Sequence, residues 1–378
     1  MNSRERFLTA MSGGKPDRVP CAPDFSNMIP CRLTGKPFWD IYLHGNPPLW
    51  KAYLDAANHF GIDAWFFDGG ISFRNPDVMR YESRIVSQDD ERIVQRTLIR
   101  TPDGDMESSA TYYRADPPTV TEKAVKDVKE EFKKLRHFFP TPTGYSVEEA
   151  QARKREVGGK YAFGVHVGFP GFQLWHVFVE GGVEPLAYAE ADDPEVLEEL
   201  HDIHMRSVVK QTEMIVDSGL FDYILLGGSG AITLASPALF DKYALPTIQK
   251  VTRICRQAGM PTMLHSCGKE AYLVKRCVEA TDLSCVNPLE IPPMGDCNLA
   301  ELKRLYGTRI CLMGNIHTTD VMLRGSVEDV ERTARKCLDD AAAGGAFILS
   351  TGDQCGRDTP DENIRKLVEV CETYGRYE

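Results

Sequence analysis

Eight short apolar runs, set apart by helical patterns, constrain this chain more than any other feature. They are VPCAPDF (19–25), DAWFFDG (63–69), YAFGVHV (161–167), YILLGG (223–228), PTMLHS (261–266), LSCVNP (283–288), RICLMGN (309–315) and AFILST (346–351). Each is apolar at successive positions, the pattern of a strand covered on both faces, and such strands belong to parallel sheets. The segments between them repeat with a helical period. EVLEELHDIHMRSVVKQTEMIVDSG ends at Gly219, SPALFDKYALPTIQKVTRICRQAG opens on a Ser-Pro pair and ends at Gly259, and SVEDVERTARKCLDDAAAGG follows the same plan. In TPDENIRKLVEVCETYG, Thr359, Pro360 and Glu362 fall at the cap, first and third positions of a capping box. Eight strands with intervening helices predict a (β/α)8 TIM barrel, with a doubly wound open sheet as the alternative.

One region departs from the rhythm. Residues 82–121 alternate apolar and polar positions around a PDGD turn, which predicts an inserted antiparallel β-hairpin or meander after the second strand. Its strands are too polar for a barrel interior, so its place is at the rim. Residues 1–378 are expected to form a single barrel domain, since the length suits a barrel of this type.

Composition narrows the function classes. The net charge of −11 argues against general binding to nucleic acid or an anionic membrane. The polar start MNSRERFLTAMSGGKPDR lacks a signal-peptide core, and eleven scattered cysteines suit reduced thiols, so a cytoplasmic protein is expected. No P-loop is present, and GGSGA at 227–231 lacks dinucleotide-loop spacing.

In a barrel, chemistry gathers where strands end. The polar residues at those ends are Asp24, Asp68, His166, Ser229, His265, Cys267, Glu290, Asn315, His317, Asp353 and Cys355. His265 and Cys267 follow the fifth strand and Cys355 the eighth, so the three can share one ion over the barrel mouth. One imidazole and two thiolates suit Zn2+ and leave a fourth position for water or substrate. The competing reading is a buried histidine with incidental thiols. Glu290 is a further ligand or a loop carboxylate capping amides. GFPGFQLWHVFVEGG after the third strand offers Phe169, Phe172, Trp175 and His176 either as an aromatic wall or as the start of a packed helix. His317 in GNIHTTD is either a proton donor or a loop histidine bonded to backbone.

The segments RERFLTAMSGGKPDRVPCAPDF, SPALFDKYALP, HSCGK, GNIHTTDV and TPDENIRKLVEVCETYG together resemble the uroporphyrinogen decarboxylase superfamily, whose fold is a (β/α)8 barrel. His265-x-Cys267 followed by Cys355 is similar to the zinc motif of its cobalamin-dependent methyltransferase branch. True decarboxylases of this family carry an arginine-rich stretch after the first strand; here DFSNMIPCRLTGKP holds Arg32 alone, and GDQCG stands where they have His-Gly. The resemblance therefore implies a zinc-dependent methyltransferase working with a corrinoid protein, with a metal-free decarboxylase of the uroporphyrinogen type as a rival that would need the arginines this stretch does not offer.

Two directions of transfer follow from the resemblance. One takes a methyl group from a donor, best a methoxylated aromatic, to Co(I) of the corrinoid partner; the insertion and NPLEIPPMGD are similar to O-demethylase members. The other moves a methyl group from methylcorrinoid to a thiol of the coenzyme M kind. A barrel whose zinc only ties loops together, serving as a binding partner, is the non-catalytic alternative. His317 and Glu290 are the expected catalytic groups, and Asp24, Phe169, Phe172, Trp175, His176 and Asn315 the expected substrate contacts. Asp202-Ile203-His204 lacks the glycine of a base-off cobalamin motif, so the corrinoid is expected on a separate protein. A homodimer is compatible with this reading.

Overall fold

A computed structural model describes residues 1–76 and 78–378. Its strands are β1 (Trp65–Phe66), β2 (Ser72–Arg74), β3 (Arg80–Gln88), β4 (Arg92–Thr101), β5 (Gly104–Tyr113), β6 (Thr119–Glu122) and β7 (Gly144–Ser146). They continue as β8 (Ala162–His166), β9 (Tyr223–Gly227), β10 (Thr262–His265), β11 (Cys285–Asn287), β12 (Cys311–Ile316) and β13 (Phe347–Thr351). Seven of them form one curled sheet in the order β1-β8-β9-β10-β11-β12-β13, and every neighbouring pair is parallel. Seven of the eight apolar runs thus become regular staves.

The first run makes an irregular eighth stave. Cys21 bridges Leu349 in parallel sense, Leu349 N–H donates to the Pro20 carbonyl at 2.9 Å, and Asp63 N–H donates to the Cys21 carbonyl at 2.7 Å. The segment thereby joins β13 to the residues entering β1, and the two edges of the curled sheet meet through it. Pro20 and Pro23 supply no N–H to a ladder, which is why this run is bridged rather than fully paired. Asp63 locks the junction: its fully buried carboxylate accepts from Arg6, Arg18 and the Cys21 N–H at 2.7, 2.7 and 3.0 Å.

Alternation along the staves explains why the runs are apolar throughout. Trp65, Tyr223, Leu225, Met263, Cys285, Met313 and Ile348 point inward and share one cluster with the N-terminal helix residues Phe7 and Met11. Their neighbours Phe66, Ile224, Leu226, Leu264, Val286, Leu312 and Leu349 point outward into the main core beneath the helices. The helix Pro194–Ser218 ends at Gly219, whose φ of 60° is the left-handed cap expected of glycine. Ser326 and Asp329 form a capping box on Val327–Ala341.

Two local expectations are corrected. The last helix, Asp361–Thr373, has Pro360 at its cap with no side-chain bond, and the buried Thr359 hydroxyl is unpaired, so that capping box does not form. The pattern from 237 to 257 is not one regular helix. It passes through a wide turn at Phe240–Ala244 before Leu245–Gln257, because Pro246 lacks the N–H that a continuous ladder needs.

The insertion is a four-stranded antiparallel meander, β3-β4-β5-β6. Ile99 and Met106 on its inner face pack into a second core with Val125, Leu135, Phe139 and Leu200. Among the described residues no helix is long and apolar enough to cross a membrane.

Candidate metal centre

β10 delivers His265 at its last position, pinned on both sides: Gly228 N–H donates to the His265 carbonyl at 2.7 Å and Ser266 N–H to the Asn287 carbonyl at 2.9 Å. Two residues on, the Cys267 carbonyl accepts from Gly230 N–H at 3.1 Å. The imidazole and thiol consequently meet, with Nε2 3.2 Å from Sγ, and the thiol lies 3.4 Å from Ser229 Oγ. From β13 the chain passes Gly352 into Asp353, whose φ of 95° is left-handed for a residue with a side chain. That conformation costs about 1–3 kcal/mol and persists only where its surroundings hold it. Here Gly352 N–H donates to the Ile316 carbonyl at 2.7 Å and Cys355 N–H to the Asp24 carbonyl at 2.8 Å. The result turns Asp353 Oδ1 to 3.9 Å from His265 Nε2.

One donor atom each from His265, Cys267 and Asp353 therefore lie within 4.8 Å of one another. Ligands of one tetrahedral zinc ion, at about 2.0–2.3 Å from it, stand about 3.3–3.8 Å apart, so an imidazole, a thiol and a carboxylate at this spacing fit zinc. The electrostatics agree. Burial, then Asp353, pushes the Cys267 thiol above its ordinary range, and burial raises the carboxyls of Asp24 and Glu290, with Asp353 adding repulsion to each. A dication relieves this crowding of acids and lets thiols ionise.

Cys355 is placed differently from the expected ligand set. It is fully buried, its thiol pushed up to about 12 by burial and then by Asp24, and it lies against the Thr351 hydroxyl. The three-donor cluster contains Asp353 from the same loop, two residues earlier.

Two cavities meet at these donors. One, of about 540 Å³, reaches from His265, Ser229 and Asp24 to the rings of Trp50, Trp65, Phe66, Phe67, Phe73 and Phe169. The other, of about 330 Å³, is lined by Asp353, Glu290, Asn315 and His317. Asp24 and Phe169 thus stand where a substrate contact is expected. Phe172 and Trp175 do not: both are buried in the second core, with Trp175 Nε1 donating to His204 Nδ1 at 3.1 Å. His176 lies on the same helix, its carbonyl accepting from Lys123. The helix start is a packed face, and the aromatic wall comes chiefly from DAWFFDGGISF and the preceding helix. Adjacent aromatics at a strand end were the available signal.

The polar cleft holds the remaining predicted residues. Glu290 accepts from Gly268 N–H at 2.5 Å. Asn315 Nδ2 donates to the Leu289 carbonyl at 3.0 Å. His317 Nδ1 accepts from Asp320 N–H at 3.0 Å and so caps its own turn. Arg32, the lone arginine after the first stave, pairs with Asp361 rather than facing the aromatic cavity.

Residues 96–374 match the family described as uroporphyrinogen decarboxylase (URO-D). The chain belongs to that family. The chain is similar to the methylcobamide:CoM methyltransferase MtbA of Methanosarcina mazei, 25% identical over 168 residues, which are 44% of this chain and 46% of that protein. It is also similar to a methylated-thiol–coenzyme M methyltransferase of the same organism, 24% identical over 190 residues, 50% of this chain and 48% of the relative. These matches span about half the length of the curated relatives. A solved methyltransferase from Methanosarcina mazei has the same fold as this chain, at a TM-score of 0.66 with 18% identity over 99% of both chains.

Proposed function

We propose that this protein is a corrinoid-dependent methyltransferase that takes a methyl group from a methoxylated aromatic and passes it to Co(I) of a partner corrinoid protein. The observation that carries the reading is the junction of the His265–Cys267–Asp353 donors with a 540 Å³ cavity walled by aromatic rings. A flat apolar ring fits such a wall, with its ether oxygen turned toward the polar groups that line the cavity near the donors. In the transfer the methyl–oxygen bond breaks, its electron pair stays on oxygen, and the Co(I) pair forms the new bond to carbon.

Zinc is the ion to which the donors are suited, held by His265, Cys267 and the 353–355 loop, through Asp353 or the softer Cys355. Bound there it supplies Lewis acidity toward an ether oxygen, or holds a thiol as thiolate. Glu290, whose carboxyl burial keeps above its ordinary range, and His317 border the donors from the polar cleft. In this reading they return a proton to the departing oxygen. All eleven cysteines are free thiols, which suits a reducing cytoplasm.

The names of the relatives favour a second reading, transfer from methylcorrinoid to a thiol. The test is spectroscopic: purified protein is mixed with a reduced corrinoid protein and methoxybenzene, and separately with methylcobalamin and 2-mercaptoethanesulfonate. Conversion of the Co(I) spectrum to that of methylcobalt in the first mixture supports the donor reading. Demethylation of cobalt in the second mixture alone replaces it with the thiol reading.

A further inference from the structure

His166 is a polar group on the aromatic cavity to which neither the donor cluster nor the polar cleft gives a task. It ends β8 and lines the cavity beside Phe169, the two rings edge to face at 5.2 Å. Its Nδ1 accepts the Gly168 N–H at 3.3 Å, so the ring proton sits on Nε2. Among the described residues Nε2 has no hydrogen-bond partner. The space in front of it exists because residue 227 is glycine: a Cβ there would stand 2.9 Å from Nε2 and 2.4 Å from the Phe169 ring. The donor is therefore fixed in direction and faces open volume.

The surroundings specify what it can hold. Asp24 and Asp68 are the carboxylates that line this cavity, and Arg153, over the Trp50 ring, is paired with Asp68 and Glu149. Among the described residues no unpaired cationic side chain lines the wall around His166, so an anionic group beside it is disfavoured. Burial, and then the charge of His265, hold the His166 ring down to about 4, so at neutral pH it is an uncharged N–H donor. A neutral ligand with one acceptor on an otherwise apolar ring satisfies every group present.

Building on the aromatic-donor reading, we propose that His166 Nε2–H is the specificity donor of the cavity. It hydrogen-bonds an oxygen carried on a flat, uncharged ring, and so separates oxygen-substituted rings from alkylated rings of the same shape. An alkyl ring leaves the donor desolvated and unpaired, and that penalty makes the discrimination.

Methoxybenzene and ethylbenzene have nearly the same shape and differ in the acceptor. Calorimetric titration of the full chain with each, without corrinoid or thiol, is expected to show methoxybenzene bound about three- to tenfold tighter. His166→Phe, checked for native melting, is expected to bind both equally, and His166→Gln, which keeps an N–H, to retain part of the preference. Equal binding by the wild type, or a preference that survives in His166→Phe, overturns the proposal. The two readings fail separately. A preference lost in His166→Phe supports the donor role even if no methyl transfer from methoxybenzene is found. Methyl transfer with a preference indifferent to His166 overturns the donor role and leaves the activity standing.

Discussion

His265 and Asp353 face each other across the barrel mouth, Nε2 3.9 Å from Oδ1, and each closes a different cavity. The aromatic cavity ends at His265 and the polar cleft at Asp353. A ligand on the donors is thus approached from an apolar side and an acidic side at once. This suits a reaction in which a flat carbon skeleton stays dry while a proton is exchanged opposite it.

The donor set makes the first prediction. Zinc added to metal-stripped protein is expected to bind near one equivalent, and His265→Ala and Cys267→Ser to abolish it by elemental analysis. A thiolate outranks a carboxylate for zinc, so Cys355→Ser is expected to lose the ion and Asp353→Asn to weaken it by no more than about tenfold. Full retention in Cys355→Ser, with loss in Asp353→Asn, would instead assign the third ligand to the carboxylate as it stands in the cluster.

Gly227→Ala tests the cavity itself. Its new Cβ meets Phe169 at 2.4 Å, so the ring must move into the cavity. Overpacking of this kind costs about 1–3 kcal/mol. A lowered melting temperature with weakened methoxybenzene binding is expected; unchanged affinity would mean the ligand sits elsewhere.

Asp63→Ala tests the closure of the barrel. It leaves Arg6 and Arg18 facing each other at 10% and 9% side-chain exposure without their shared carboxylate. Removing one partner of a buried ionic cluster costs about 3–5 kcal/mol. Urea unfolding is the measurement, and a loss below about 1 kcal/mol would show that water enters and screens the pair.

His204 carries a pH signature. Burial, and then the charge of His201, pushes its pKa down to about 3, and Trp175 donates to its Nδ1. Unfolded, the ring takes a proton below 6.5; folded, it stays neutral until about 3, so the unfolded state binds more protons in that window and stability falls as pH drops through it. Between pH 7 and pH 5 this group alone accounts for about 2 kcal/mol. His204→Gln, whose amide oxygen accepts the Trp175 bond, should be less stable than wild type at pH 7, with the gap narrowing by about that amount at pH 5. Parallel urea curves at both pH values would count against it.

Periodicity and run length carried the barrel and the meander, because a stave covered on both faces and a half-exposed ribbon leave different patterns in the residues themselves. His265 and Cys267 were legible for a similar reason: their spacing at the end of a strand confines both to one mouth. The aromatic wall was not, since Phe172 and Trp175 look in sequence like Phe67 and Phe169. Which ring meets the cavity depends on whether the meander and the Pro194–Ser218 helix cover it.

The sequence by itself determined the fold class and the strand end that brings His265 and Cys267 together, because these follow from regular alternation and local spacing. Tertiary structure decided the rest. Pro20 and Pro23 turned the first stave into a bridge closed by Asp63, and the left-handed backbone at Asp353 set a carboxylate in the cluster while Cys355 lies against Thr351. In an irregular loop no period relates residue number to direction, so only the surrounding hydrogen bonds choose which side chain joins the donor cluster.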